Sequence, residues 1–230
     1  MTKETALERE MLVDKDTGVN PLSRRKFLGF AGAATGIALL AACKKNDENN
    51  GTNLGSGDIG ILNYAYALEQ LEAAFYTQVI ASQYTGITAS ETSYLTDIRD
   101  HEIAHREFFK AALAGNAIQN LEVDFSSINF SSRASVLGTA KAFEDLGVSA
   151  YNGAGKLITD ANYLLAAGKI VSVEARHAAL IRELLTANSF AASDVVNSSG
   201  LDLARTPSEV LAIAGTYIKT KINASNLPTS

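Results

Sequence analysis

The chain has 230 residues, of which 47% are hydrophobic and three are proline, and its net charge at pH 7 is −5. This composition excludes a disordered protein, and the acidic balance argues against a nucleic-acid partner. Long stretches without helix breakers, and no recurring alternation of β-branched residues, predict an all-α fold.

The N-terminal segment, residues 1–42, is typical of a targeting signal. Arg24 and Arg25 precede an apolar run that ends at Cys43, the only cysteine in the chain. The run is shorter than the ~20 residues that a membrane-spanning helix needs. The arginine pair and its surroundings resemble a twin-arginine export signal, and the sequence at 40–43 resembles a lipoprotein cleavage site. These resemblances imply the twin-arginine export machinery as a partner and a lipid on Cys43 that anchors the protein to a membrane of the cell envelope.

Residues 43–57 are polar and rich in Asn and Gly. A segment of this composition buries little apolar surface, which predicts a flexible tether. Apolar residues then recur at helical spacing over most of residues 58–188. Four helices are expected, at 58–83, 89–114, 132–159 and 160–188.

The lengths of the connections predict how these helices are arranged. The connection at 115–131 has about 17 residues, enough to cross a bundle and let the third helix run parallel to the second. The third and fourth helices are joined by little more than a turn, so they are expected to be antiparallel neighbours. Thr88 and Glu91 have the spacing of a capping box at the start of the second helix.

Residues 189–230 are expected to form a polar linker and a short C-terminal helix. Thr206 supplies an N-cap, Pro207 stands at the first helical position and Glu209 at the third. The helix is expected to end near Thr220.

Two helices carry the same short motif, Glu-x-x-His, at Glu102–His105 and Glu174–His177. Residues three apart lie on one face of a helix, so each motif presents a carboxylate and an imidazole in the same direction.

The other two helices carry a second matched pair, because Tyr76 follows Glu69 by seven residues and Tyr151 follows Glu144 by seven. Seven residues are two helical turns, and both glutamates stand among apolar neighbours. An unpaired carboxylate in such surroundings costs several kcal/mol, which indicates that a positive partner meets these side chains.

One Glu from each of two helices, plus Glu-x-x-His from each of the other two, is the donor set of di-iron and di-manganese bundles. On these motifs the sequence resembles the ferritin-like superfamily, and among its branches the secreted bacterial and desiccation-associated proteins. The resemblance implies a four-helix bundle with a crossover between its second and third helices, binding two divalent ions, iron or manganese. It implies these ligands, with Glu102 and Glu174 bridging both ions: Glu69, Glu102, His105, Glu144, Glu174 and His177.

Several residues near these motifs have more than one interpretation. Glu72 competes with Glu69 as the ligand of the first helix. Tyr76 and Tyr151 are either core aromatics or catalytic redox partners that hydrogen-bond a ligand carboxylate. His101 precedes Glu102 and points about 100° away from it on the helix, so a minor role is expected.

Residues 101–105 also match the zinc-protease motif H-E-x-x-H. The downstream residues of the metzincin extension are missing, and the protease interpretation leaves Glu69, Glu144 and His177 without a role. It is therefore disfavoured.

The implied activity is that of an oxidoreductase acting on iron(II), oxygen or peroxide, of the ferroxidase or the peroxidase and catalase type. A lipid on every subunit argues against a soluble storage cage, whereas a smaller homo-oligomer is left open. The alternative is a non-enzymatic envelope protein that protects against stress or desiccation and carries a structural or vestigial metal site.

Overall fold

The computed structural model describes residues 51–229, and this part of the chain is all-α, as predicted. Its five α-helices are α1 (Gly57–Ala81), α2 (Ala89–Leu113), α3 (Arg133–Gly155), α4 (Ala161–Leu185) and α5 (Pro207–Ala214). Single turns of 3₁₀-helix follow α2 and α5, at Ala114–Asn116 and Gly215–Tyr217. A short parallel pair of strands joins the two ends of the described chain, β1 (Thr52–Asn53) with β2 (Ile222–Asn223).

The starts of α2 and α5 are fixed by the two predicted capping residues. At Thr88 the side chain accepts from the backbone N–H of Glu91 at 3.1 Å, and the Glu91 carboxylate accepts from the backbone N–H of Thr88 at 3.0 Å. Thr206 and Glu209 form the same reciprocal pair, with Pro207 at the first helical position. Each box satisfies backbone donors that the first helical turn leaves open.

Polar contacts at the helix ends define the directions of the four long helices. Arg133 at the start of α3 donates to Glu91 at the start of α2 and to the carbonyl of Leu184 at the end of α4. At the opposite end, Asp58 of α1 accepts from the backbone N–H groups of Thr159 and Asp160, just before α4. It follows that α2 and α3 run parallel and that α3 and α4 are antiparallel, as the connection lengths predicted.

The crossover from α2 to α3 is packed on the bundle. Ile118, Phe125 and Ile128 of this segment are buried. The buried side chain of Asn63 on α1 holds the start of the crossover: its amide donates to the carbonyl of Asn116 at 2.9 Å, and its carbonyl accepts from the N–H of Ile118 at 2.9 Å. The crossover therefore spans the bundle with its apolar side chains in the common core and with polar contacts to α1.

Some element bounds differ from the expectation. The third, fourth and C-terminal helices end at Gly155, Leu185 and Ala214, several residues earlier than predicted. Asp58 explains the first difference, because its carboxylate accepts from two backbone N–H groups of the loop 156–160 and holds that loop out of a helix. Such a partner lies about 100 residues away in the chain and gives no local signal.

The end of the expected tether is ordered in contact with the C-terminal segment. Thr52–Asn53 pairs with Ile222–Asn223, and Leu54 is fully buried. Residues 52–54 are therefore part of the folded domain, because a distant strand supplies hydrogen-bond partners that their polar composition did not indicate.

The expectations for the N-terminus lie outside the described residues. They comprise the signal at 1–42, with Arg24 and Arg25, and the lipid attachment at Cys43. Among the helices within residues 51–229, none combines the length and apolarity required to cross a membrane.

Candidate metal centre

The four long helices bring the expected ligand side chains together at one level of the bundle. The four carboxylates are completely buried, and His177 is 4% exposed. The side chain of His105 is 12% exposed. The carboxylates come from all four helices, whereas the imidazoles come from α2 and α4: Glu69 (α1), Glu102 and His105 (α2), Glu144 (α3), Glu174 and His177 (α4).

The first group of donors surrounds Nδ1 of His105. This nitrogen lies 2.7 Å from Oε1 of Glu174, 3.5 Å from Oε2 of Glu69 and 3.8 Å from Oε2 of Glu102. The four residues offer one donor atom each, and these atoms all lie within 4.8 Å of one another. Such a cluster is compact enough to surround one ion.

The second group surrounds Nδ1 of His177 in the same way. This nitrogen lies 2.9 Å from Oε1 of Glu102, 3.5 Å from Oε2 of Glu174 and 3.6 Å from Oε2 of Glu144. Glu102 and Glu174 belong to both groups. The cluster is therefore arranged as two adjoining positions that share two carboxylates.

Within residues 51–229, the buried donor atoms face one another and have no hydrogen-bond partner outside the cluster. Eight such atoms belong to the six residues of the cluster: Oε2 of Glu69 and of Glu144, both carboxylate oxygens of Glu102 and of Glu174, and Nδ1 of His105 and of His177. In this part of the chain only two imidazoles face these oxygens, and a buried carboxylate costs several kcal/mol unless positive charge meets it. Two divalent cations would balance four carboxylates, and oxygen with imidazole donors suits iron or manganese better than metals that prefer thiolate. The residues present therefore fit a two-ion centre.

Two buried tyrosines hold the glutamates that are not shared, and they do so crosswise. Tyr76 of α1 donates its O–H to Oε1 of Glu144 on α3, and Tyr151 of α3 donates to Oε1 of Glu69 on α1. Burial raises the pKa of both phenols well above the ordinary value, so they remain donors. Each of these glutamates thus has one oxygen held by a tyrosine and the other directed to the cluster.

The charges inside the cluster depend on one another. Burial raises the pKa of Glu144 to about 8 and that of Glu69 well above its usual range. Burial by itself would lower the pKa of His105 and His177, but the surrounding carboxylates raise both to about 12. Without a cation the imidazoles thus carry protons, and an ion must displace them in order to bind.

Glu72 is buried beside the centre but belongs to neither donor group. Its carboxylate faces Gly147 of α3, where a Cβ atom would lie 3.1 Å from Oε1 of Glu72. Burial and the charges of the cluster glutamates raise its pKa well above the ordinary value. Glu69, rather than Glu72, is thus the α1 glutamate that faces the other donors.

His101 contacts a residue of the second donor group, a contact that the expectation of a minor role did not include. Nδ1 of His101 lies 2.9 Å from Nε2 of His177, although His101 is outside both donor groups. The spacing on α2 gives the direction of His101 relative to its own helix alone, whereas its partner His177 belongs to α4. Since His101 and His105 do not share a donor group, the arrangement also gives no support to a zinc-protease site.

Comparison with known families agrees with the geometry. A family model described as "Ferritin-like domain" matches residues 57–187, which contain all six donors and both tyrosines. Comparison with curated proteins gives no match. The expected likeness to the ferritin-like superfamily is confirmed, whereas the secreted and desiccation-associated branch stays a prediction.

Proposed function

The chain belongs to the ferritin-like domain family, and on this premise we propose that it is an oxidoreductase with a two-ion centre of iron or manganese. Glu69 and His105 would hold one ion, Glu144 and His177 would hold the other, and Glu102 and Glu174 belong to both donor groups. The substrates are iron(II), oxygen or peroxide.

The main support is the set of eight buried donor atoms that, within residues 51–229, have partners only among themselves. They face one another from four helices and lie within 4.8 Å in each group. Six residues that converge in this way, with two of them shared, are costly to the fold unless cations neutralise them.

When bound, a pair of iron or manganese ions would supply two electrons, one from each ion, and two electrons reduce one peroxide molecule. Aromatic side chains position and surround the donor atoms. Tyr76 and Tyr151 orient the two unshared glutamates. The ring of Phe75 packs against the rings of Tyr76 and Phe143, each at 5.1 Å between ring centroids. Such packing keeps water away from the donors and strengthens their interaction with a cation.

We extend the proposal to the location of the protein. The twin-arginine motif at Arg24 and Arg25 directs export of the folded chain, and a lipid on Cys43 retains the domain on a membrane of the cell envelope. Replacement of Cys43 by serine should release the protein from the membrane fraction. Unchanged membrane retention of Cys43→Ser would remove the lipoprotein part of this proposal.

Metal analysis tests the central proposal. The purified protein, supplied with iron(II) or manganese(II), should contain about two ions per chain and should oxidise iron(II) or consume peroxide. Glu144→Ala and His177→Ala should lower the metal content and abolish turnover. Glu107→Ala is the matched control, because this exposed glutamate of α2 lies outside the cluster.

The two halves of the result have different meanings. A folded protein that binds neither ion would reject the two-ion centre. A protein that binds two ions, and gains thermal stability from them, but turns over neither iron(II) nor peroxide would support the alternative of an envelope protein with a structural metal site.

A further inference from the structure

The two hairpins of the bundle carry the same kinds of donor, and one of the differences beside these donors lies directly before the Glu-x-x-His motif. In α2 the residue before the Glu-x-x-His motif is His101, and in α4 the corresponding residue is Val173. Only the first of these can form hydrogen bonds through its side chain. The difference therefore places a polar group next to one half of the centre and an apolar group at the matching position of the other.

The geometry of the His101–His177 pair is that of a hydrogen bond in the ring plane. The two nitrogens are 2.9 Å apart, the ring planes are inclined by 9°, and the ring centroids are 5.1 Å apart. Stacked rings cannot bring two nitrogens so close, whereas rings placed edge to edge in nearly one plane do. An N–H directed along this line points at the lone pair of the facing nitrogen.

The direction of this hydrogen bond follows from the other nitrogen of His177. Its Nδ1 faces Glu102, Glu144 and Glu174 and is the atom available to an ion. A neutral imidazole that binds an ion through Nδ1 carries its proton on Nε2, and that N–H then donates to Nδ1 of His101.

The two ligand histidines differ in this respect. Among residues 51–229, no hydrogen-bond partner is found for Nε2 of His105, whose side chain is partly exposed. A partner on the outer nitrogen of a ligand histidine fixes its tautomer and ring orientation and raises its basicity. The position at His177 therefore has support that the position at His105 lacks.

We propose, on the basis of the two-ion centre proposed above, that His101 is a positioning residue that makes the two ion positions unequal. Through its hydrogen bond to His177 it makes the position formed with Glu144 the tighter one. The position formed with Glu69 and His105 is the weaker one.

Manganese(II) titration of the full chain, followed by electron paramagnetic resonance and calorimetry, tests this proposal. The unmodified protein should bind one ion more tightly than the other, and His177→Ala should remove the tighter ion while His105→Ala removes the weaker. His101→Val, which copies the residue of α4, should weaken the tighter ion by about 10- to 100-fold and leave the weaker ion unchanged.

Two further variants separate hydrogen bonding from general effects on structure. His101→Gln keeps an acceptor and should restore most of the affinity, whereas Val173→Ala is the matched control on α4 and should change neither ion. His101 is exposed, so its variants are expected to fold. His101→Ala is a second variant in which the acceptor is removed. In the His177→Ala background, His101→Val should have no further effect.

The results distinguish this inference from the proposed function. A folded protein that binds no manganese rejects the two-ion centre itself. Binding of two ions with equal affinity, an equal effect of His101→Val on both ions, or no recovery in His101→Gln would overturn the role of His101 and leave the centre intact.

Discussion

The hairpin of α1 and α2 and the hairpin of α3 and α4 supply the same kinds of side chain to the centre but differ at positions beside it. Each supplies one unshared glutamate, one tyrosine and one Glu-x-x-His motif, and the tyrosine of each hairpin holds the glutamate of the other. The repeated residues are those that a two-ion centre requires. The residues that are not repeated show where the two halves are specialised.

Two positions break the correspondence. His101 of α2 matches Val173 of α4, and Glu72 of α1 matches Gly147 of α3. The second pair is complementary in space, because Gly147 leaves the room that the Glu72 carboxylate occupies. A carboxylate at both positions would place two buried acids against each other, so the difference is a packing requirement as well as a chemical one.

The largest effect is expected where the two halves cannot be separated, at the shared carboxylates. Glu102→Gln and Glu174→Gln should each lose both ions, because each residue belongs to both donor groups and a neutral amide does not compensate the ionic charge. Elemental analysis, with circular dichroism to show that the helices persist, measures this effect. If either variant retained one full ion, the two carboxylates would not be shared.

The pH dependence of the metal-free protein should be the next largest effect. In the folded state the pKa of Glu144 is about 8 instead of 4.5, and that of His177 is about 12 instead of 6.5. The folded chain therefore keeps protons that the unfolded chain releases. The free energy of unfolding of the metal-free protein consequently falls as the pH rises, from 4.5 to about 8 for Glu144 and from 6.5 to about 12 for His177. Each such group contributes up to about 1.4 kcal/mol per pH unit.

Thermal melts in a chelator should consequently show a lower melting temperature at pH 8 than at pH 6.5. In the metal-loaded protein this decline should be much smaller, because ions replace the protons on the donors. A metal-free protein that is more stable at pH 8 would contradict this account of the charges in the cluster.

Removal of a tyrosine hydroxyl should affect one half at a time. Tyr76→Phe releases Glu144, and Tyr151→Phe releases Glu69, so each should weaken one ion by about 10-fold or more. Tyr64→Phe is the matched control, since the buried Tyr64 hydroxyl on α1 has no hydrogen-bond partner within the described part of the chain and so holds none of the six donors. Equal loss in all three variants would indicate a packing effect instead of a role in orienting the glutamates.

The smallest effect on the metal content is expected at Glu72. Glu72→Gln should keep both ions, because this residue lies outside both donor groups. Because the pKa of Glu72 is raised in the fold, burying this carboxylate at neutral pH lowers the free energy of unfolding of the metal-free protein. An uncharged amide avoids that loss. The metal-free melting temperature should therefore rise, by about 2–4 °C for each kcal/mol gained. Loss of one ion in this variant would instead make Glu72 a ligand.

Local spacing in the sequence predicted the helices, the capping residues Thr88 and Thr206 and the two Glu-x-x-His motifs, and the resemblance to the ferritin-like superfamily implied the six candidate ligands. These features depend on residues three to seven positions apart, and the helical repeat alone brings such residues to one face. The direction of α3 was also predictable, since the length of a connection limits which ends of helices it can join.

Contacts between distant parts of the chain decided the rest. The crosswise bonds of Tyr76 and Tyr151 and the pairing of His101 with His177 each join different helices. The pairing of Thr52–Asn53 with Ile222–Asn223 likewise joins the two ends of the domain. Periodicity fixes the direction of a side chain relative to its own helix, but only the packing of that helix against another determines which side chain it meets.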